Sequence, residues 1–329
     1  MGKGLSKILI DLAICLRVGP PTRFSGGTMT LYCLILMSLQ AQPGQAVRGD
    51  PELANNPDGE VVPEDPYLFP RMRFRQYEVK DRSKTIKEPG PDTSDFPNSP
   101  YTLPAGRFYV EMTPFTWTGQ TSTNPSAYNF QALYRYGLTD YWEFRVYTQG
   151  LQVDMATGQT PQYVGFNPIT FDMKIHLQEE IKEWFIPALG LEAFIQTDFG
   201  SKELSNGVQP GLSLLANHSI GEKWNLNWNV GLVGGWAGDE YITYTTTYQV
   251  SLSREITDNL SFFVHGYVND ASLPQYVSPI SGGNPNAMVL GGGFLWTPLD
   301  RVALWGQAGA GVNNPAPDTL FYLGTAFAF

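Results

Sequence analysis

From Gly106 to the C-terminus, apolar and polar side chains alternate along the chain with a period of two. The pattern is clearest in residues 224–236, where one face carries Leu226, Trp228, Val230 and Leu232 and the other carries Asn225, Asn227, Asn229 and Gly231. This is the period of a β-strand whose two faces meet different surroundings. About twelve such segments of roughly 10 to 14 residues follow one another. The pattern therefore predicts an all-β fold with long strands.

The connections between these segments are alternately short and long. The short turns resemble one another, and each contains an acidic residue: Asp140, Glu183, Glu222, Asp258 and Asp300. These residues recur about every 40 positions, which indicates a repeating hairpin. The other connections are rich in Gly, Asn, Pro, Ser and Thr. One end of the fold is expected to have tight turns and the other to have loops.

Strand length distinguishes the architectures that such a repeat allows. A propeller blade needs four short strands, whereas each period here holds two long ones. Ten residues tilted by about 40° rise roughly 25 Å, the height of the apolar band of an outer-membrane barrel. Only a closed sheet leaves no unpaired edge in lipid. We therefore expect residues 105–329 to form a 12-stranded antiparallel up-and-down transmembrane β-barrel, with a soluble β-sandwich as the competing fold.

Aromatic residues are placed as an interfacial girdle would require. Three tryptophans lie beside short turns on the apolar face: Trp142, Trp224 and Trp296. Trp236 and Tyr241 mark the opposite rim. Strict alternation turns Trp117 inward, unless Pro114 makes a bulge that resets the register.

The N-terminal 46 residues have the features of a secretory signal peptide. Basic residues precede the apolar run Met29–Leu39, and small residues follow it up to Ala46. An internal start such as Met29 and a buried N-terminal helix are the alternatives. The only cysteines, Cys15 and Cys33, lie in this leader, so the mature chain would have no thiol chemistry.

Residues 47–104 are polar and rich in proline, which disfavours both helix and strand. We expect an extended or partly disordered periplasmic segment. Its basic part, Arg71 to Lys87, is expected to be solvated, with contact to an anionic partner as the alternative.

Charge and hydropathy exclude two classes of protein. The formal net charge is −10, which argues against nucleic acid as a partner. Beyond residue 46, no apolar run approaches the roughly 18 to 20 residues of a membrane-spanning helix, which excludes a polytopic helical membrane protein.

The chain ends in an alternating strand whose last residue is Phe329. Such a strand resembles the terminal signature of bacterial outer-membrane proteins, which the barrel-assembly machinery reads. This resemblance implies that machinery as a partner, outer-membrane lipid as the surroundings, and periplasmic termini.

Three stretches carry a family resemblance. They are Asp92-Thr-Ser-Asp95-Phe96-Pro-Asn98-Ser99-Pro100, then Pro104 to Glu111 with its Pro-Ala-Gly, and Gly137-Leu-Thr-Asp-Tyr-Trp-Glu143-Phe-Arg145. Over about residues 92–329 the chain resembles the MetA-pathway of phenol degradation family of outer-membrane transporters. Thr93-Ser94 and Pro97 depart from the family's pattern. The resemblance implies an outer-membrane transporter, and the family's name suggests aromatic compounds without fixing the substrate.

The sequence offers little that indicates catalysis. Outer-membrane phospholipases place His and Ser two residues apart on one strand face, whereas His218 and Ser219 are adjacent and therefore on opposite faces. The other histidines are His176 and His265, and no metal-binding or nucleophile motif occurs. We predict no enzyme, no catalytic residue, no metal and no cofactor.

The remaining candidates are charged residues expected in the lumen: Arg107, Glu111, Arg135, Glu143, Arg145, Asp172, Lys174 and Glu192. These side chains either line a pore and set its selectivity, or pair across neighbouring strands and fill a narrow barrel. Their mixed signs argue against a strongly ion-selective channel.

The function predicted from the sequence is passage of small molecules across a bacterial outer membrane, with apolar or aromatic compounds among the candidates. One alternative is a closed structural barrel whose N-terminal segment binds a periplasmic partner. The other is an outer-membrane hydrolase.

Overall fold

The structure, a computed structural model, describes residues 85–94, 97–121, 124–158, 161–205, 207–236, 242–269 and 287–329, with the backbone alone at 235, 236, 242 and 243. Several sequence predictions lie outside these residues: the leader 1–46, the segment 47–84, Asp95, Phe96, Tyr241 and the side chain of Trp236. Among the described residues, no helix has the length and apolar character needed to cross a membrane.

The described residues form fourteen strand segments and one short 3-10 helix. The strands are β1 Phe108–Thr118, β2 Ala127–Gly137, β3 Trp142–Thr148, β4 Leu151–Asp154, β5 Tyr163–Phe166, β6 Ile169–Gln178, β7 Ala188–Gln196, β8 Gln209–Ile220, β9 Trp224–Trp236, β10 Ile242–Thr257, β11 Leu260–Val268, β12 Met288–Leu299, β13 Val302–Gly311 and β14 Leu320–Ala328; the 3-10 helix is Lys182–Trp184. Every pairing is antiparallel, and β1 pairs with both β2 and β14, so the sheet closes on itself.

Two barrel strands are interrupted at the same level. β2 pairs with both β3 and β4, while β3 pairs with β6 and β4 with β5. Between the halves, the carbonyl of Gly150, whose φ is 55°, accepts a hydrogen bond of 2.8 Å from the amide of Asn167. Pro168 then follows and has no amide hydrogen for a ladder. The fourteen segments therefore make twelve barrel strands, which confirms the predicted 12-stranded antiparallel barrel.

The two faces of the barrel have the predicted character. On β9, Val230 points outward with 37% of its surface exposed, whereas Asn229 points into the lumen and is 3% exposed. The tryptophans beside the short turns, Trp142, Trp224 and Trp296, are also on the outer face. Apolar groups outside and polar groups inside reverse the arrangement of a soluble protein. This arrangement contradicts the soluble sandwich.

The first strand contains the bulge that the sequence indicated. The pairing of β1 shifts register between Met112 and Phe115 on one side and between Thr113 and Thr116 on the other. After the shift Thr116 is buried and Phe115 is exposed. Trp117 therefore lies on the same side as Phe115, because the bulge at Pro114 reverses the alternation.

Residues 85–104, which we name the inserted segment, lie inside the barrel in their described part. They form neither helix nor strand, as their prolines predicted. They also begin and end at the short-turn end: the amide of Ile86 donates to the carbonyl of Asp300 at 2.6 Å, and the Thr102 hydroxyl donates to the carbonyl of Asp140 at 2.7 Å.

The location of the inserted segment corrects one expectation. Residues 85–104 were expected to belong to an extended or partly disordered segment whose basic part, up to Lys87, is solvated, yet Ile86 and Leu103 are fully buried in an apolar cluster with Tyr109 and Trp305. The amine of Lys87 donates to the Asn259 side chain at 2.6 Å. The segment is ordered because the barrel wall supplies the partners that its proline-rich backbone cannot find in a ladder.

Candidate functional site: a charged cluster that holds the inserted segment

Seven of the eight charges predicted for the lumen lie on adjacent strands and point inward. They occupy alternate positions on β1, β2, β3, β6 and β7 and are fully or almost fully buried: Glu111, Arg135, Glu143, Arg145, Asp172, Lys174 and Glu192. The register places Arg145 opposite Asp172 and Lys174 opposite Glu192. The period of two and the strand register thus bring these charges together on one side of the barrel.

An eighth charged residue, Asp92, joins these seven and comes from the inserted segment. One carboxylate oxygen of Asp92 lies 3.2 Å from Arg135 Nη2, 2.9 Å from Arg145 Nη1 and in contact with Lys174 Nζ. All four side chains are fully buried. We name these eight residues the charge lock, because a single carboxylate of the inserted segment joins three cations of the wall.

The wall acids complete the pairing of the cations. Arg135 donates from Nε to Glu143 at 2.7 Å and from Nη1 to Glu111 at 2.9 Å. Arg145 donates from Nε to Asp172 at 2.7 Å and lies 2.5 Å from Glu192. Such charge-assisted contacts are the strongest class of hydrogen bond in proteins.

The wall carboxylates also bind amide groups of the inserted segment. Glu111 accepts hydrogen bonds from the amides of Asp92 and Thr93 at 3.1 and 2.9 Å. Glu143 accepts one from the amide of Leu103 at 2.7 Å. These bonds satisfy buried amides of a segment that has no ladder of its own.

The wall cations bind carbonyl groups of the inserted segment in the same way. Arg135 donates to the carbonyl of Gly90 at 2.8 Å. Lys174 donates to the carbonyls of Ser99 and Tyr101 at 3.0 and 3.1 Å. The lock therefore holds both halves of the inserted segment against β1 to β7.

The electrostatics favour an ionised Asp92. Burial alone would raise the pKa of this carboxyl, but the attraction of Arg135, Lys174 and Arg145 outweighs burial and lowers the pKa to about 2. Removing one partner from a buried ion pair leaves an uncompensated charge and costs about 3–5 kcal/mol. Asp92 is the one member of the charge lock that belongs to the inserted segment, so we expect its loss to weaken the retention of that segment.

Arg107 and Asp92 differ from what the sequence predicted. Arg107 precedes β1 at the short-turn end, is only half buried and is not a member of the lock.

Asp92 was quoted for the family resemblance but not as a candidate for the site. The wall itself indicates that an anion is needed in the lumen, because Arg135 and Arg145 are directly opposite each other on β2 and β3. Like charges in such a pair destabilise a sheet unless an anion lies between them.

A cavity of about 510 Å³ lies across the inserted segment from the lock. It is located at the short-turn end, between the segment and parts of β8 to β12. On the segment it is lined by Pro91 and Ser99. On the wall it is lined by amide and hydroxyl side chains, among them Asn217, Asn225, Asn227, Ser253 and Ser261. Charged residues of both signs also line it at the short-turn end: Lys182, Glu222, Lys223 and Glu255.

The histidines lie apart from one another. His176 contacts the carbonyl of Pro100 at 3.1 Å, and His265 lies beside Phe263 in the lumen. His218 stacks on Phe185, whereas Ser219 lines the cavity. His218 and Ser219 thus face opposite sides of β8, as their spacing predicted. Within the described part of the chain, no group of His, Cys, Asp and Glu could hold a metal ion.

Comparison with known proteins gives one family and several solved barrels. The family profile described as "Putative MetA-pathway of phenol degradation" matches residues 91–329. An outer membrane channel from Pseudomonas putida F1 superposes with a TM-score of 0.54 at 13% identity, covering 71% of this chain and 99% of that one. At this identity the likeness shows the fold alone. No curated protein matches the chain.

Two further solved structures are more distant. The KdgM porin, in complex with disordered oligogalacturonate, gives a TM-score of 0.43 at 7% identity and covers 68% of this chain and 98% of that one. Outer membrane phospholipase A from Escherichia coli gives 0.38 at 12% identity, with 69% and 94% covered. Neither is similar enough to carry an argument about function.

Proposed function

Since this chain belongs to the family described as "Putative MetA-pathway of phenol degradation", we propose that it is a channel of a bacterial outer membrane that passes small molecules through its lumen. The closed sheet and its apolar exterior support a location in lipid, because only helices and closed barrels satisfy every backbone group there. Apolar and aromatic compounds are among the candidate solutes, as the family's name suggests.

The observation that carries the proposal is the cavity of about 510 Å³ beside the inserted segment. A structural barrel of this size could be filled completely by its own side chains. Here the charge lock holds the inserted segment against β1 to β7, and the cavity remains between the segment and part of β8 to β11. The segment thus acts as a constriction, and solutes pass between it and this part of the wall.

The orientation follows from the turns. Bacterial outer-membrane barrels have short periplasmic turns and longer outer loops, so the short-turn end is proposed to be periplasmic, as are both termini. Residues 1–46 then serve as the export signal. At the barrel seam the amide of Phe329 donates to the carbonyl of Phe108 at 2.9 Å, a position that suits recognition of the last strand by the barrel-assembly machinery.

Solute flux into liposomes tests this function. We expect the refolded protein to let a small neutral sugar enter at a rate that rises with the amount of protein, whereas a large dextran stays outside. Heat-modifiable gel migration of the same sample would verify that the barrel has folded.

Absence of both flux and conductance from a folded sample would contradict the channel and favour the closed structural barrel. The hydrolase alternative would instead require turnover of lipid or peptide that is lost on replacing His176 or His265.

A further inference from the structure

Among the described residues, the fully buried charges of the lumen are confined to one half of the barrel. All members of the lock belong to the inserted segment or to strands β1 to β7. On the opposite side, the buried lumenal side chains of β8 to β10 carry amides and hydroxyls instead of charges: Gln209, Ser213, Asn217, Asn229, Thr247, Gln249 and Ser251. Four charged residues of both signs, Lys182, Glu222, Lys223 and Glu255, line the cavity at the short-turn end. Beyond that mouth, the buried polar side chains of these three strands are neutral hydrogen-bonding groups.

Three of the buried polar side chains form a row next to the lock. Thr170 on β6 is opposite Gln196 on β7, which is opposite Gln209 on β8. Thr170 lies two residues from Asp172, on the long-loop side of the lock. The row therefore begins where the charged layer ends.

The row has polar atoms without partners. Thr170, Gln196 and Gln209 are 1%, 4% and 0% exposed, yet Thr170 Oγ1, Gln196 Nε2 and both amide atoms of Gln209 make no hydrogen bond within the part of the chain that the structure describes. Buried polar groups in native proteins are nearly always paired, so each exception needs a water, an ion or a ligand. The row offers both hydrogen-bond donors and acceptors. A glutamine side chain has an NH2 group that donates and a carbonyl oxygen that accepts, and a threonine hydroxyl can do either.

We propose that the solute is an uncharged molecule rich in hydroxyl or amide groups, and that Thr170, Gln196 and Gln209 bind it on the long-loop side of the lock. This inference rests on the proposed channel function and specifies its solute class. A hydroxyl group can donate to one amide atom of the row and accept from another. A purely apolar solute would leave these atoms unpaired. An ion would lose its hydration among groups that carry no opposite charge.

A flux assay with three solutes of similar size tests the solute class. We expect liposomes that contain the protein to take up N-acetylglucosamine about tenfold faster than cationic glucosamine or anionic glucuronate. Equal rates for all three would overturn the proposed class and leave the channel function intact. No uptake of any of them, together with no conductance, would instead contradict the channel itself.

Matched variants test the row. Gln209→Leu keeps a similar volume and removes both unpaired amide atoms, and we expect about a tenfold loss of N-acetylglucosamine uptake with little change in salt conductance. Gln131→Leu is the control, because Gln131 is also a buried lumenal glutamine but its amide already donates to Asn129 at 3.2 Å. Gln196→Leu serves as a second variant if Gln209→Leu does not fold. Equal uptake by Gln209→Leu and Gln131→Leu would show that the row does not bind the solute. Water would then be the partner of its polar atoms.

Discussion

Replacing Asp92 by alanine is expected to release the inserted segment and to give a larger and noisier single-channel conductance. Asp92 is the carboxylate that contacts Arg135, Arg145 and Lys174 at once. Its loss removes these contacts, and the resulting cost of about 3–5 kcal/mol would raise the population of the released state by about two to four orders of magnitude. The barrel itself is expected to persist, because the strand pairing does not involve Asp92.

Planar-bilayer recording of wild type and Asp92→Ala would measure this effect. Asp318→Ala is the matched control, since Asp318 is an exposed acid in a long-loop connection and is not a member of the lock. Asp92→Asn preserves the shape and removes the charge, and we expect a smaller effect from it. Conductance of folded Asp92→Ala that matches wild type in size and noise would show that the lock does not hold the constriction.

Placing a charge on the outer face is expected to destabilise the barrel in lipid. Val230 faces outward in the middle of β9. An arginine near the bilayer midplane of a transmembrane barrel costs about 2–4 kcal/mol, because the guanidinium loses its hydration there. We therefore expect Val230→Arg to lower the free energy of unfolding from vesicles by that amount.

Asn227→Arg provides the comparison on the same strand. Asn227 lines the cavity, where an arginine can remain hydrated. Urea unfolding of the two variants in lipid vesicles, followed by heat-modifiable migration, would give both free energies. A larger loss for Asn227→Arg than for Val230→Arg would mean that the faces of the barrel are assigned the wrong way round.

The barrel was predictable because its signal is local. A period of two needs only neighbouring residues, and it fixed which face of each strand meets lipid. The bulge at Pro114 was also predictable, since proline lacks the amide hydrogen that a ladder needs. The interruptions between β3 and β4 and between β5 and β6 had only weak signals, a glycine at 150 and a proline at 168.

The inserted segment was not predictable in the same way. Its prolines indicated that it would form no helix and no strand, but they do not tell where an irregular segment lies. Its position depends on contacts such as that between Asp92 and Lys174, which are 82 residues apart. The wall charges were recognised from alternation alone, whereas Asp92 has no periodic pattern around it. Arg107 follows the alternation and yet remains outside the lock, because it precedes the first strand.

The inserted segment must lie inside the barrel for the charge lock to form, and the reactivity of a cysteine at position 103 tests this most directly. Leu103 is fully buried in the apolar cluster with Tyr109 and Trp305. In a chain without Cys15 and Cys33, we expect Leu103→Cys to react with a maleimide at least about a hundredfold more slowly than the same site in the unfolded chain. Asn314→Cys, in an exposed loop, should react fast, and adding Asp92→Ala should restore fast reaction at position 103. Reaction of Leu103→Cys as fast as that of Asn314→Cys in the folded barrel would show that the segment lies outside the lumen.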